Sequence, residues 1–313
     1  MRPATLAYLT LPPVMWASNA IVGRLAVAGT DPLISPLALN ALRWVVTLVI
    51  LAVVAALVAR RAAAGAGSGT ASGPAGEART SPWRIYAVFG LLSVAAYNAL
   101  QYVALQTSSA INVTLIAAGG PLFVLLIGRL FFGAHARRWA WIGACLSLVG
   151  VFVVLTGGDP ARLARLRIAG GDLLMVVATI VWALYSWLLR RRRPAVPVLT
   201  LLLLQTAWGV AFSMPVVAIE WLAGDVVFRP DFRTAAVVAW TALGPSLLAF
   251  WCWDRGVASA GPVMPTFFAN LTPLFAALMS AALLGEPPQG FHALAFLLIM
   301  GGIALSQRGA TPH

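Results

Sequence analysis

The chain has 313 residues, of which 61% are hydrophobic and only 10% charged, with a mean hydropathy of +0.90. A soluble domain of this size has no interior large enough for that much apolar surface, so the composition excludes water-soluble classes and points to a membrane protein. The net charge of +12 comes from 21 basic residues, all of them arginine, placed in short loops beside apolar runs, where they set orientation and do not signal nucleic-acid binding.

A membrane span needs roughly 20 apolar residues. The sequence predicts ten, at 5–27, 37–59, 85–106, 112–132, 139–156, 173–189, 198–221, 235–253, 261–284 and 290–307. The first is too long for a signal-peptide core and is read as a retained helix. The stretch 62–78, rich in Gly, Ala and Ser, is read as a flexible linker between the second and third spans. Residues 157–171 form a second linker. Cys145 and Cys252 both fall within spans and give neither a disulfide framework nor metal-ligand spacing.

With the N-terminus in the cytoplasm, thirteen arginines fall in inner loops and termini and five in outer loops, with Arg24, Arg43 and Arg129 inside spans. This bias places both termini in the cytoplasm of a bacterial inner membrane.

The chain also repeats itself. Residues 113–150 advanced by 152 positions fall on 265–302 without a gap. Pro121-Leu122-Phe123 meets Pro273-Leu274-Phe275, Gly133 meets Gly285, and Gly150 meets Gly302. A shift of 166 carries Trp16 and Ala17 onto Trp182 and Ala183. Ten spans in two halves give five each. Five is odd, so the second half enters the membrane from the opposite side. The expected architecture is an all-α polytopic protein of two inverted five-helix repeats, 1–156 and 172–313, around a central cavity.

These residues resemble the EamA-type transporters of the drug/metabolite transporter superfamily. The resemblance rests on Trp16, Ser18, Asn19, Gly23 and Arg24 in the first span, Arg43-Trp44 in the second, and Asn98, Gln101, Tyr102 and Gln106 in the third. It continues with Pro121-Leu-Phe in the fourth span, Pro273-Leu-Phe and Gly285-Glu286 in the ninth, and Gly301-Gly302 in the tenth. It implies ten helices around a cavity, cytoplasmic termini and export of small metabolites. One departure stands out: where the ninth span ends in Gly285-Glu286, the fourth ends in Gly133-Ala134-His135, so any symmetric role of the acidic residue is absent from the first half.

Ionisable groups in a bilayer are expensive and are the first candidates for function. Arg24 either faces the cavity or snorkels to the interface. Arg43, two turns into its span, lines the cavity or makes an internal polar contact. Arg129 reads as an interfacial anchor. No acidic residue falls at the centre of a span. Asp254 is the best remaining candidate for the titratable group a proton-coupled antiporter needs, but beside Arg255 it is read as half of a surface pair, which favours exchange or facilitated diffusion over proton coupling. Neutral polar and aromatic residues supply the candidate substrate site: Trp16, Asn19, Arg43, Tyr97, Gln101, Trp182, Tyr185 and Asn270, with Trp16 and Trp182 as a repeat-related pair. Each amide has an alternative reading as a helix–helix hydrogen bond. Pro121 and Pro273 are read as mid-helix kinks and hinges. Ala140, Gly143, Ala144, Ser147 and Gly150 form a small-residue packing stripe.

An intramembrane enzyme would need a nucleophile with its base, or metal ligands. The chain has no HExxH or GxSxG motif, and its three histidines lie outside or at the ends of spans. The expectation is a monomeric secondary transporter, without cofactor or metal, for small amphipathic metabolites such as amino acids, with membrane lipid as its surroundings. Multidrug efflux is the alternative, and a receptor or scaffold without transport is the alternative of another class.

Overall fold

A computed structural model describes residues 2–27, 32–65, 83–108, 110–165, 169–224, 226–284 and 289–308. Their regular structure is helical, and the one β contact among them is an isolated bridge between Ile34 and Phe228. The helices are α1 (Pro3–Val27), α2 (Pro36–Gly65), α3 (83–107), α4 (Ala110–Ala118), α5 (Gly120–Phe132), α6 (Arg138–Thr156), α7 (Gly170–Arg191), α8 (Val198–Leu222), α9 (Phe232–Ala260), α10 (Val263–Ala269), α11 (Thr272–Leu284) and α12 (Gly290–Gln307).

Seven helical segments among the described residues are long and apolar enough to cross a membrane, and α4 with α5, bent by 46°, makes an eighth. The segments carry exposed large apolar side chains, among them Val49, Val53 and Leu57 on α2, Ile219 and Leu222 on α8, and Leu294 and Leu297 on α12. In water such surfaces are unfavourable; in lipid they are the solvated face. The chain is an integral polytopic membrane protein.

The two prolines of the Pro-Leu-Phe runs do not sit mid-helix as the sequence suggested. The break after α4 falls at Gly119, and Pro121 occupies the first turn of α5. The break after α10 falls at Asn270 and Leu271, and Pro273 is the second residue of α11. A first-turn proline gives up an N–H that has no intrahelical acceptor, so these residues start helices and do not kink them.

Two further irregularities share that spacing. Within α3, residues Gly90–Ala96 form a π-helical turn, and within α9, Ala242–Leu248 form another. α6 and α12 pack closely along the small-residue stripe. A Cβ placed on Gly143 would lie 2.5 Å from the Gly302 carbonyl oxygen, and one on Gly150 would lie 3.0 Å from the Ala295 carbonyl oxygen and 2.7 Å from the Ile299 side chain. Only residues without side chains allow the backbones this near.

The linker read at 62–78 lies mostly outside the described residues, and α2 extends through Gly65. The linker at 157–171 contains a 3-10 turn at Pro160–Arg165. Gly285-Glu286 and the side chains of Arg24, Tyr102 and Gln106 also lie outside the described residues.

Candidate functional site

The π turns organise the centre of the bundle. A π turn displaces the helical hydrogen-bond ladder, so nearby carbonyls become available to side chains. In α3 the Asn98 amide takes up two of them, its Nδ2 donating to the Ser93 and Val94 carbonyls at 3.1 and 3.0 Å. This fixes the Asn98 Oδ1, which accepts from Arg43 Nη2 at 2.8 Å. In α9 the Pro245 carbonyl accepts from Trp16 Nε1 at 3.3 Å, and the Ala242 carbonyl from Thr47 Oγ at 3.2 Å. Thr47 and Arg43 are one turn apart on α2, so that helix touches the π turn of α9 directly and is tied to that of α3 through Asn98.

Arg43 is 5% exposed, and its Nε has no partner. Its guanidinium carbon lies 5.4 Å from the Trp44 ring centroid, which supplies a cation–π contact but no counter-charge. A buried guanidinium with donors left over is poised for an anionic group.

Beside Arg43 and Trp44 lies an aromatic cluster centred on Trp182, which is 9% exposed. Ring centroids lie 4.8 Å away for Tyr97, 5.0 Å for Trp253, 5.3 Å for Tyr185, 5.7 Å for Phe250 and 6.0 Å for Trp16. Trp16 and Phe250 meet it edge-on. Phe250 in turn packs edge-on against Trp44 at 4.9 Å, which joins the cluster to the helix turn of Arg43. Trp16 is half-buried and also contacts Trp253 at 5.4 Å. Helices α1, α2, α3, α7 and α9 therefore converge on one aromatic surface with a cation at its edge.

Of the residues singled out from sequence, the structure brings Trp16, Tyr97, Trp182 and Tyr185 into this cluster and Arg43 beside it. Asn19 and Gln101 are half-buried on α1 and α3. Asn270 belongs elsewhere: its Nδ2 donates to Ser147 Oγ at 2.9 Å, so it ties the α10–α11 break to α6 and acts as a helix–helix bond. Asp254 is corrected outright. The sequence reading ended its span at 253 and paired Asp254 with Arg255 at the surface. In fact α9 continues to Ala260, and Asp254 is 0% exposed, accepting from the Tyr185 hydroxyl at 2.8 Å. The Asp172 carboxylate accepts from Ser108 Oγ, from Asn112 Nδ2 at 2.9 and 3.1 Å, and from the Ala169 N–H at 2.8 Å. It thus caps α7 while fastening it to the α3–α4 connection. An apolar pocket between α2, α3 and α8, bordered by Leu37, Asn40, Ala95 and Phe212, is separate from the aromatic cluster.

The model of the EamA-like transporter family matches residues 4–156 and 169–307, almost the whole chain. The chain belongs to the EamA-like transporter family. It is a transporter and not an enzyme. The EamA-like relatives include the uncharacterized transporter YyaM of Bacillus subtilis, 26% identical over 221 residues, which covers 70% of this chain and 71% of that protein. They also include the aromatic amino acid exporter YddG of Ancylobacter novellus, 26% identical over 230 residues, covering 72% and 76%. A crystal structure at 23% identity shares the fold with a TM-score of 0.75, covering 97% of this chain and 96% of the other.

Proposed function

We propose that this EamA-like protein is a secondary exporter of small amphipathic metabolites such as amino acids, working by alternating access between two inverted five-helix halves. The aromatic cluster beside Arg43 carries this reading. An amino acid with an apolar side chain offers a carboxylate for the guanidinium and a flat or branched body for the indole and phenol faces. The relative that exports aromatic amino acids supports the same substrate class. A lipophilic cation would find Arg43 repulsive, which disfavours multidrug efflux. The direct test is efflux from cells. Cells overexpressing the protein and loaded with labelled phenylalanine are expected to lose it faster than cells with an empty vector, and equal rates would reject the substrate class.

The inverted arrangement is supported by a contact that occurs twice. Gly143 abuts Gly302, and Gly150 abuts Ala295. Under the 152-residue shift, Gly143 corresponds to Ala295 and Gly150 to Gly302, so the second contact is the first with the partners exchanged. Reciprocal contacts of this kind arise between equivalent segments related by a two-fold axis. Because early positions of α6 meet late positions of α12, the two helices run antiparallel. Equivalent helices that run antiparallel through a bilayer belong to halves of opposite orientation. The π turns, at Gly90–Ala96 and Ala242–Leu248, are 152 residues apart as well. The Ser93 and Pro245 carbonyls, each bound by a side chain, are equivalent under the same shift.

An all-helical integral protein fits an inner membrane, since outer-membrane spans are closed β-barrels. The arginine bias puts both termini inside. Single cysteines introduced at His135 and Gln289, in a background lacking Cys145 and Cys252, are expected to react with an impermeant maleimide from opposite faces of the membrane. Labelling of both from one face would reject inversion.

Arg43→Gln is expected to lower phenylalanine flux at least about tenfold, equivalent to about 1.4 kcal/mol, with normal amounts of folded protein. Arg43→Lys should retain part of the activity, because it keeps the charge but not the fork of donors. Unchanged flux in Arg43→Gln would remove the guanidinium from the substrate site.

A further inference from the structure

Asp254 is a carboxyl for which substrate binding has no use. It lies on α9, six residues or roughly 9 Å of helix axis before Ala260, and is fully buried. Oδ1 accepts from the Tyr185 hydroxyl at 2.8 Å, while Oδ2 is buried without a partner. Gln205 of α8 and Ser93 of α3 approach the same hydroxyl, and both amide atoms of Gln205 are buried without completing a hydrogen bond.

Among the described residues no cation forms an ion pair with this carboxyl, and the charge of Arg193 acts on it from nearby without touching it. Arg193, in the turn after α7, donates to the backbone carbonyl of Asp254 at 3.2 Å and not to its side chain. Arg190 on α7 donates to the Ala258 carbonyl at 3.0 Å. Arg255, the next residue, lays its guanidinium over the Trp251 ring at 5.5 Å. From α2, Arg43 is bonded to Asn98. Of the other titratable groups on these elements, Tyr8 of α1 packs edge-on against Trp251 and Cys252 is buried on α9 itself, whereas the carboxylates lie far along their helices, Asp172 before Tyr185 near the start of α7 and Glu220 after Gln205 near the end of α8. The facing helix α10, VMPTFFA, has no titratable side chain. A bare carboxylate in such a place is costly, and ionisable groups held inside a bundle at this cost mark ion and proton paths.

We propose that Asp254 is a proton-binding site that links substrate movement to proton movement. In the closed arrangement without substrate the carboxyl holds its proton, with Oδ1 anchored by Tyr185. When the cytoplasmic side opens and water reaches the group past Tyr185 and Gln205, the carboxyl O–H bond breaks, the proton passes to the cytoplasmic water, and the carboxylate remains solvated. The loaded protein crosses with the carboxylate still hydrated, and the substrate leaves on the outer side. The empty protein returns only after the carboxylate has taken a proton from the outer water, so one proton crosses inward for each substrate exported. The coupling rests on the transport reading given above; the protonation itself does not.

Two measurements on full-length protein in liposomes test this. The first needs no substrate. Infrared difference spectra at neutral pH between wild type and Asp254→Asn are expected to show the C=O stretch of one protonated carboxyl in the wild type alone, and Tyr185→Phe should shift that band. Absence of the band overturns the proposal. The second uses labelled phenylalanine and a pH gradient. Wild type is expected to accumulate the label up to roughly tenfold per unit of pH difference. In Asp254→Asn the ratio of gradient-driven flux to exchange at equal pH should fall to one, a split that a merely structural role would not produce. Wild-type flux indifferent to the gradient overturns the coupling. Absence of any phenylalanine flux in the wild type would count against the substrate class alone, and the infrared band then decides the proposal.

Discussion

Trp182→Ala is expected to remove most of the folded protein, whereas Trp16→Ala is expected to leave protein amount nearly intact and to lose transport. The two residues occupy corresponding places under the 166-residue shift, but their surroundings differ. Trp182 is 9% exposed and touches five aromatic rings from α1, α3, α7 and α9. Truncating a buried Trp costs roughly 3–5 kcal/mol, much of it from the cavity left behind. That is a large share of the roughly 5–15 kcal/mol by which proteins are stable. Trp16 is half-buried, and one long hydrogen bond to Pro245 is its polar tie. Its ring can be removed with less collapse, so its loss reads out contact with substrate. Size-exclusion profiles and thermal denaturation in detergent measure the first effect, and flux per molecule of reconstituted protein the second. Wild-type flux from Trp16→Ala, with unchanged concentration dependence, would take the Trp16 face of the cluster out of the substrate path and leave Arg43 and Gln101 as its markers.

Gly302→Val is expected to be at least as damaging to the fold. A Cβ at Gly302 would stand 2.5 Å from the Gly143 carbonyl oxygen and 2.9 Å from both the Ser147 amide nitrogen and its Cβ. Two of these neighbours are backbone atoms in the middle of α6 and have no rotamer through which to yield. Overpacking a core that can adjust costs about 1–3 kcal/mol; here α6 and α12 must separate along their length. The reciprocal substitution, Gly150→Val, meets the Ala295 carbonyl oxygen and the Ile299 side chain and should fail similarly. Gly290→Ala is the control, since a Cβ there meets nothing within 4 Å. Monodisperse protein in normal yield from Gly302→Val would contradict the close α6–α12 contact.

Much of this was legible in the chain. Apolar runs of span length, the Pro-Leu-Phe repeat and the small-residue stripe all depend on short-range periodicity or spacing, which a sequence displays directly. The Trp16–Trp182 pairing came from the same source. The rest depended on three-dimensional context. Pro121 was read as a kink because it stands mid-way along an apolar run; the chain breaks at Gly119, two residues earlier, where backbone geometry and not composition decides. Asp254 followed by Arg255 has the form of a surface pair, and nothing local reveals that α9 continues six residues further to the left-handed Gly261. The π turns left no signature in composition, yet they orient Asn98 and, through it, Arg43. Asn270 illustrates the opposite case: a buried amide whose partner, Ser147, lies 123 residues away, so site and glue could not be told apart from the sequence.

The central claim is that an amphipathic metabolite passes the aromatic cluster beside Arg43. Counterflow tests it most directly. Purified protein in liposomes loaded with unlabelled phenylalanine should draw in labelled phenylalanine transiently above its equilibrium level, and the overshoot should vanish in both Trp16→Ala and Arg43→Gln. An overshoot of wild-type size in both variants, or none in the wild type, would contradict the account.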